Sequence, residues 1–199
     1  MKYFLPILFI FFAPIVGLTP TESLQILVDG NNRYVTNKLL FADHSSDKRL
    51  ALIGGQKPFG IILSCSDSRV IPEIVFDQSA GNLFVVRIAG NVAGSVELES
   101  IEFAAKVFES SIIVVLGHES CGAVRAVLNN KAKDIPAIAA LIKPALRKGD
   151  NLESAIKQNV VSTVASLKNN ADLKKLLDEK KLDIVGGYYK IKTGKIEIL

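Results

Sequence analysis

Two short segments of this 199-residue chain hold both of its cysteines and one of its two histidines: Ser64-Cys65-Ser66-Asp67-Ser68-Arg69 and Gly117-His118-Glu119-Ser120-Cys121. Thiolate, imidazole and carboxylate are zinc-binding side chains, and two thiolates with one imidazole suit a tetrahedral ion. Cys65, His118 and Cys121 are therefore candidate metal ligands, with Asp67 as a candidate fourth. A disulfide is the competing reading of two cysteines. It has no need, however, of an aspartate two residues after one sulfur or a histidine three residues before the other. Arg69 follows Asp67 by two residues and is placed to grip it in a bidentate ion pair. A structural zinc site has little use for such an arginine, whereas a catalytic site that must free one coordination position does.

The pair has a physical logic of its own. Zinc bound by two thiolates and a neutral imidazole carries no net charge, and its fourth position takes either Asp67 or water. Water bound there ionises with a pKa of about 7, giving hydroxide without a strong base. If Arg69 keeps Asp67 off the metal, the carboxylate accepts a hydrogen bond from that hydroxide and aims its lone pair outward. Low pH favours the closed state, so activity is expected to climb with pH from neutral to alkaline.

These residues need strand ends to hold them. Apolar runs at 59–63, 83–88, 112–116 and 184–188 read as strands buried on both faces of a parallel sheet. A fifth at 195–199 follows a short turn-rich link containing Gly194 and is expected to be antiparallel to its neighbour. Helical spacing predicts helices over 19–38, 48–54, 95–109, 151–167 and 171–180, with another opening near Ser120. Ser95 and Asn151 read as N-caps. The expected fold is α/β, with four parallel strands, one antiparallel C-terminal strand, flanking helices and an N-terminal helical arm. Cys65 with Asp67, and His118 with Cys121, then fall at carboxyl ends of parallel strands, where open sheets build ligand sites. One helical turn is expected to bring His118 and Cys121 to a common face.

Hydrophobic residues make up 49% and charged residues 22%, which excludes a disordered chain and fits one globular domain over residues 18–199. Residues 1–17 carry Lys2 as their only charge and end in a small residue, the anatomy of a cleavable signal peptide. Their loss would take the formal net charge from +4 to +3. The mature protein is accordingly expected in a periplasm or outside the cell. That mild excess, with no basic stretch interleaved by aromatics, argues against nucleic acid as a partner.

The chain resembles the β-class carbonic anhydrases. The resemblance runs through Gln56-Lys57-Pro58-Phe59, Cys65-Ser66-Asp67-Ser68-Arg69-Val70, Leu83-Phe84-Val85-Val86-Arg87, Ala89-Gly90-Asn91, Gly94-Ser95, Glu102-Phe103-Ala104 and Gly117 to Val124. It implies a zinc enzyme, one ion per subunit, that interconverts carbon dioxide and bicarbonate by means of a zinc-bound hydroxide. Its zinc ligands fall on Cys65, His118 and Cys121, and its aspartate–arginine pair on Asp67 and Arg69. Phe84 and Val70 match or neighbour positions lining a tight apolar substrate pocket, and Gln56 matches a glutamine that donates to bound substrate or product. Ile62 stands where a closed-site subgroup has tryptophan, which favours the permanently open subgroup. Phe103 replaces a common tyrosine. Gly90 answers either to a close backbone approach at the ligand or to an ordinary turn. Arg87 reads as a structural salt bridge or as a contact to a partner's carboxylates, and His44 as a proton shuttle or a bystander. The resemblance implies a homodimer or homotetramer, with the first helix wrapped over a neighbour. Two other functions fit the same ligands: a hydrolase of carbon disulfide or carbonyl sulfide, and a non-catalytic zinc-stabilised binding protein.

Overall fold

The computed structural model describes residues 17–41 and 45–199. Residues 1–16 of the expected signal segment, and His44, lie outside the described residues. In chain order the elements are α1 (Pro20–Val35), α2 (Ser46–Ala51), β1 (Gly60–Ser64), α3 (Pro72–Val75), β2 (Leu83–Arg87), α4 (Ser95–Val107) and β3 (Ile112–His118). There follow α5 (Gly122–Leu128), α6 (Pro136–Ile142), a 3-10 turn (Lys143–Ala145), α7 (Leu152–Lys168), α8 (Ala171–Asp178), β4 (Asp183–Tyr189) and β5 (Ile196–Ile198). They form a five-stranded sheet in the order β2-β1-β3-β4-β5. Pairs β1/β2, β1/β3 and β3/β4 are parallel, and β4/β5 is antiparallel.

Of the three inner strands, β1 and β3 are buried along their whole length, which is why their sequences are unbroken apolar runs rather than alternating ones. Alternate residues divide between two layers. Ile62, Ile112, Val114 and Leu116 meet Leu27 of α1 with Val75 and Phe76 beyond it. Ile61, Leu63, Ile113 and Val115 meet Ile101, Ala104 and Ala105 of α4, Val160 and Leu167 of α7 and Leu173 of α8. A third apolar cluster, with Val124, Ile142, Ile156 and Tyr188, encloses Cys65 and Cys121 at the carboxyl ends of the strands.

The helix ends follow local chemistry. Thr19 caps α1 reciprocally with Glu22: the Thr19 N–H donates to the Glu22 carboxylate at 2.8 Å, and the Glu22 N–H donates to Thr19 Oγ1 at 3.3 Å. Asn151 caps α7 by accepting from the Ser154 N–H at 2.9 Å. Ser95, expected as a cap, is instead the first residue of α4. The cap is Gly94, whose N–H donates to the Glu97 carboxylate at 2.9 Å. Glutamate three residues on serves the terminus without a hydroxyl partner.

Helix α1, expected to lack a local partner, has one within its own chain. Its apolar face lies on its own sheet, with Leu27 fully buried, and its polar groups are tied into the same chain. Ser23 Oγ and Ser111 Oγ are 2.7 Å apart. Asn31 donates to the carbonyls of Val75 and Gly194 and accepts from the Ile196 N–H, at 2.9, 2.8 and 2.9 Å. The local partner for this face is formed by β3, α3 and the β4–β5 hairpin, which lie far from α1 in sequence.

Candidate metal centre

The carboxyl ends of β1 and β3 are neighbours because these strands pair directly, Ser64 against Leu116. That pairing brings Cys65, just past β1, beside His118, the last residue of β3. Cys121 follows as the N-cap of α5. The expected helical turn between His118 and Cys121 is absent: a tight loop with Ser120 at φ 60° makes the return instead. The left-handed residue turns the chain within two positions, so the sulfur comes back to the imidazole before the helix begins.

The ligand atoms of Cys65, His118 and Cys121 all lie within 4.8 Å of one another, and all three residues are buried. Both cysteines are free thiols. His118 Nδ1 lies 2.9 Å from the Glu119 carbonyl oxygen, which only accepts, so Nδ1 carries the proton. The lone pair is then on Nε2, which is buried and has no hydrogen-bond partner among the described residues. A fixed tautomer of this kind is the usual arrangement of a metal-binding histidine. The hydrogen bond from Cys121 draws the Cys65 thiol down to about 4 against the opposing pull of burial, helped by His118 and the Gly90 N–H. The same bond, with burial, pushes the Cys121 thiol up. Two sulfurs sharing one proton in an apolar enclosure form a site in which a divalent cation can replace that proton and neutralise both. The donor set of two sulfurs and an unpartnered imidazole nitrogen fits zinc.

Asp67 is turned toward Arg69. Arg69 Nε donates to Oδ1 at 2.8 Å and Nη2 to Oδ2 at 2.7 Å, while the Arg69 backbone N–H adds a bond to Oδ1 at 3.0 Å. Those side-chain hydrogen bonds hold the Asp67 carboxyl well below the usual carboxylate range. Asp67 Oδ2 is still only 3.8 Å from His118 Nε2, at the edge of the sulfur–nitrogen triangle.

Gly90 belongs to the site. It has φ 78°, and its N–H donates to Cys65 Sγ at 3.3 Å. A Cβ there would lie 2.9 Å from the movable Ile142 Cδ1, so it is chiefly the backbone conformation that favours glycine. Among the described residues of this chain Arg87 forms no salt bridge. Its guanidinium instead donates to three backbone carbonyls of one loop: Nε to Cys65 at 3.3 Å, and Nη2 to Asp67 at 2.8 Å and Val70 at 3.0 Å. Val70 adjoins the site in sequence, but its side chain is buried in the α1-side cluster.

Two expected pocket residues are not brought to this site within one chain. Gln56 precedes β1 and lines a surface cavity with Pro58, Val107 and Phe108. It is separated from Cys65 by the length of β1, about 16 Å. Phe84 pairs with Ile61, near the amino end of the sheet. Its ring packs on Phe108 at 5.9 Å, and Phe108 in turn meets the exposed Phe103 edge-on at 5.5 Å. Ile62 is fully buried in the core. Asn159 of α7, whose amide donates to the Gly90 carbonyl at 2.8 Å, lies beside the site without any signal in its sequence neighbourhood.

Comparison with known proteins agrees with this geometry. Residues 60–196 match the family model described as carbonic anhydrase. A carbonic anhydrase of Mycolicibacterium smegmatis is 36% identical over 194 residues, spanning 90% of this chain and 93% of its own length. Carbonic anhydrase 2 of Mycobacterium tuberculosis is 36% identical over 191 residues, spanning 88% and 91%. The solved structure of the β-carbonic anhydrase CcaA shares the fold with a TM-score of 0.69 at 27% identity, covering 88% of this chain and 94% of that one. A tetrameric β-carbonic anhydrase of Sordaria macrospora, 21% identical, has the same fold with a TM-score of 0.66 and covers 89% and 97%. With the family model spanning most of the chain and relatives aligned nearly end to end, this protein is a member of the β-carbonic anhydrase family.

Proposed function

We propose that this chain is a zinc-dependent carbonic anhydrase that hydrates carbon dioxide reversibly to bicarbonate and a proton. The observation that carries the reading is the arrangement of Cys65, His118 and Cys121 within 4.8 Å, with Asp67 beside them and bound bidentately by Arg69. Cys65, His118 and Cys121 would hold the ion. When bound, zinc supplies a nucleophile from water near neutral pH, with a pKa of about 7.

The chain's own residues do the rest. Arg69 keeps both Asp67 oxygens engaged, so the carboxylate stays ionised and would not compete with water for a bound ion. From there Asp67 accepts a hydrogen bond from the attacking water oxygen and fixes its orientation toward an uncharged linear substrate. Arg87 holds the loop that carries both Cys65 and Asp67. The apolar enclosure of Ile142, Val124 and Tyr188 excludes competing water and strengthens every charge interaction inside it. The Asp67–Arg69 pairing supports the open arrangement of the site.

Gln56 and Phe84, at the opposite end of the sheet, can meet a metal centre only if it belongs to another copy. This supports a homodimer or homotetramer, as does the tetrameric Sordaria relative. The sequence of residues 1–17 supports export, which N-terminal sequencing of the periplasmic or secreted protein tests directly.

The deciding experiment is stopped-flow hydration of carbon dioxide by protein reconstituted with one zinc per subunit. The rate is expected to climb with pH from neutral to alkaline. Arg69→Ala is expected to abolish turnover while retaining the metal. Zinc-loaded protein with no hydration activity, or Arg69→Ala with full activity, would refute the reading. Parallel assays with carbonyl sulfide and carbon disulfide are expected to show no turnover.

A further inference from the structure

Helix α7 lies directly against the segment that carries His118. A Cβ on Gly117 would lie 2.5 Å from Val160 Cγ2 and 3.3 Å from Ile156 Cγ2, so the helix and strand touch with no space between them. Between these two contact residues on the helix is Asn159, which is 1% exposed. Its Nδ2 donates to the Gly90 carbonyl at 2.8 Å, and the Gly90 N–H donates to Cys65 Sγ at 3.3 Å. One side chain on the helix packed behind His118 thus fixes the residue that bonds the Cys65 sulfur.

Gly90 and Asn91 take successive positive φ values, 78° and 47°, a tight turn that these two residue types form readily. The cost of this arrangement is visible in the structure. Asn159 Oδ1 and both side-chain polar atoms of Asn91 are buried with no hydrogen-bond partner among the described residues. The Asn159 amide thus satisfies one buried carbonyl while leaving its own Oδ1 unpaired, and an apolar side chain of the same volume would exchange that orphan for the Gly90 carbonyl. The retained amide is explained by the bond it donates.

We propose that Asn159 is a positioning residue for the metal centre: through the Gly90 peptide it aims an N–H at the Cys65 sulfur and sets that sulfur's donor strength. An N–H···S bond withdraws electron density from a thiolate, and second-shell bonds of this kind hold a ligand's orientation as well as its basicity. The proposal rests on Cys65 being a zinc ligand.

The test uses full-length protein and compares the parent with Asn159→Leu, which keeps the volume and removes the donor. Zinc affinity is measured by competition with a chromophoric chelator. The sulfur-to-metal charge-transfer band is recorded after cobalt(II) substitution. Asn159→Leu is expected to weaken zinc binding by about tenfold or more and to shift the cobalt band to longer wavelength, with the protein still folding cooperatively. If Asn159→Leu yields no folded protein, Asn159→Ala is read in the same way. Thr163→Val, one turn further along the same helix, is expected to change neither quantity. Unchanged affinity and band position in a folded Asn159 variant would overturn the proposal, as would equal changes in Thr163→Val. A parent protein that binds no zinc would instead overturn the zinc reading, so the two failures are distinct.

Discussion

Replacing Arg87 by lysine tests how the catalytic loop is held. The arginine is exposed on its outer side, yet its fork spans three carbonyls within six residues: Cys65, Asp67 and Val70. An ammonium group is a compact point donor and can keep one of these bonds, not three. Each bond to a charged donor contributes about 1 kcal/mol once solvent exposure is allowed for. Arg87→Lys therefore loosens the loop by about 2 kcal/mol, and Arg87→Ala by about 3 kcal/mol. Since about 1.4 kcal/mol is a factor of ten, the lysine variant is expected to lose up to roughly 30-fold in kcat/KM for carbon dioxide hydration. The loop is a local unit, so the global unfolding midpoint is expected to move by only a few degrees. Stopped-flow kinetics and thermal unfolding on the same zinc-loaded preparations separate the two effects. Arg87→Lys with kcat/KM within twofold of the parent would refute the reasoning, as would activity lost only in step with global unfolding.

Asn31→Ala removes three buried hydrogen bonds and strands the Val75 and Gly194 carbonyls and the Ile196 N–H. It is expected to cost about 3–5 kcal/mol in urea unfolding, and a cost under about 1 kcal/mol would contradict this account. Burial alone would raise the Asp77 carboxyl, but the Arg33 guanidinium and the N–H groups of Leu40 and Phe41 outweigh it and hold the pKa below the ordinary value. A carboxyl depressed by folding stabilises the fold above its unfolded pKa of about 3.9 and loses that contribution as pH falls through the folded value. The stability gap between the parent and Asp77→Asn is thus expected to be full at neutral pH and to shrink in acid below about pH 4. Gly90→Ala forces a Cβ to within 2.9 Å of Ile142 Cδ1 at φ 78°, and is expected to cost about 1–3 kcal/mol and weaken metal retention. Chelation of zinc present at a thousandfold its Kd is expected to remove about 4 kcal/mol of stability, measured as a fall in thermal midpoint that added zinc reverses.

The candidate metal ligands stood out in the sequence because metal chemistry restricts residue types tightly. Few patterns place two thiolates, an imidazole and an arginine-paired carboxylate at the ends of two apolar runs. The strands were legible because β1 and β3 are buried on both faces and carry no polar interruption. The short helices α3 and α6 were not: four and seven residues, each opened by a proline, give too few turns to show a period. The docking of α1 was also hidden, because its partners come from positions 75, 111 and 194–196 and no local pattern announces them. Arg87 read as a partner for carboxylates, because sequence supplies these as its natural partners and gives no weight to backbone carbonyls. Asn159 carried no signal at all, since the bond it makes depends on how closely α7 approaches Gly117.

The division between legible and hidden residues follows the division of labour in the site. Groups that must hold a cation or a proton are confined to a few side-chain types and announce themselves. Groups that only fix those residues in place act through backbone atoms: Arg87 through the carbonyls of Cys65, Asp67 and Val70, Asn159 through Gly90, and the Glu119 carbonyl through His118 Nδ1. What these positions need is enough donors at the right height rather than a cation-binding side chain, so the sequence pattern marks them less clearly. It follows that replacements at positions 87 and 159 are tolerated in proportion to their ability to donate to a carbonyl. Replacements at Cys65, His118 and Cys121 are tolerated only in proportion to their ability to bind the ion. A panel of donors and non-donors at 87 and 159, scored for zinc affinity and hydration together, separates these two kinds of constraint. If non-donors and donors of equal size behaved alike, placement through backbone atoms would have no part in this centre.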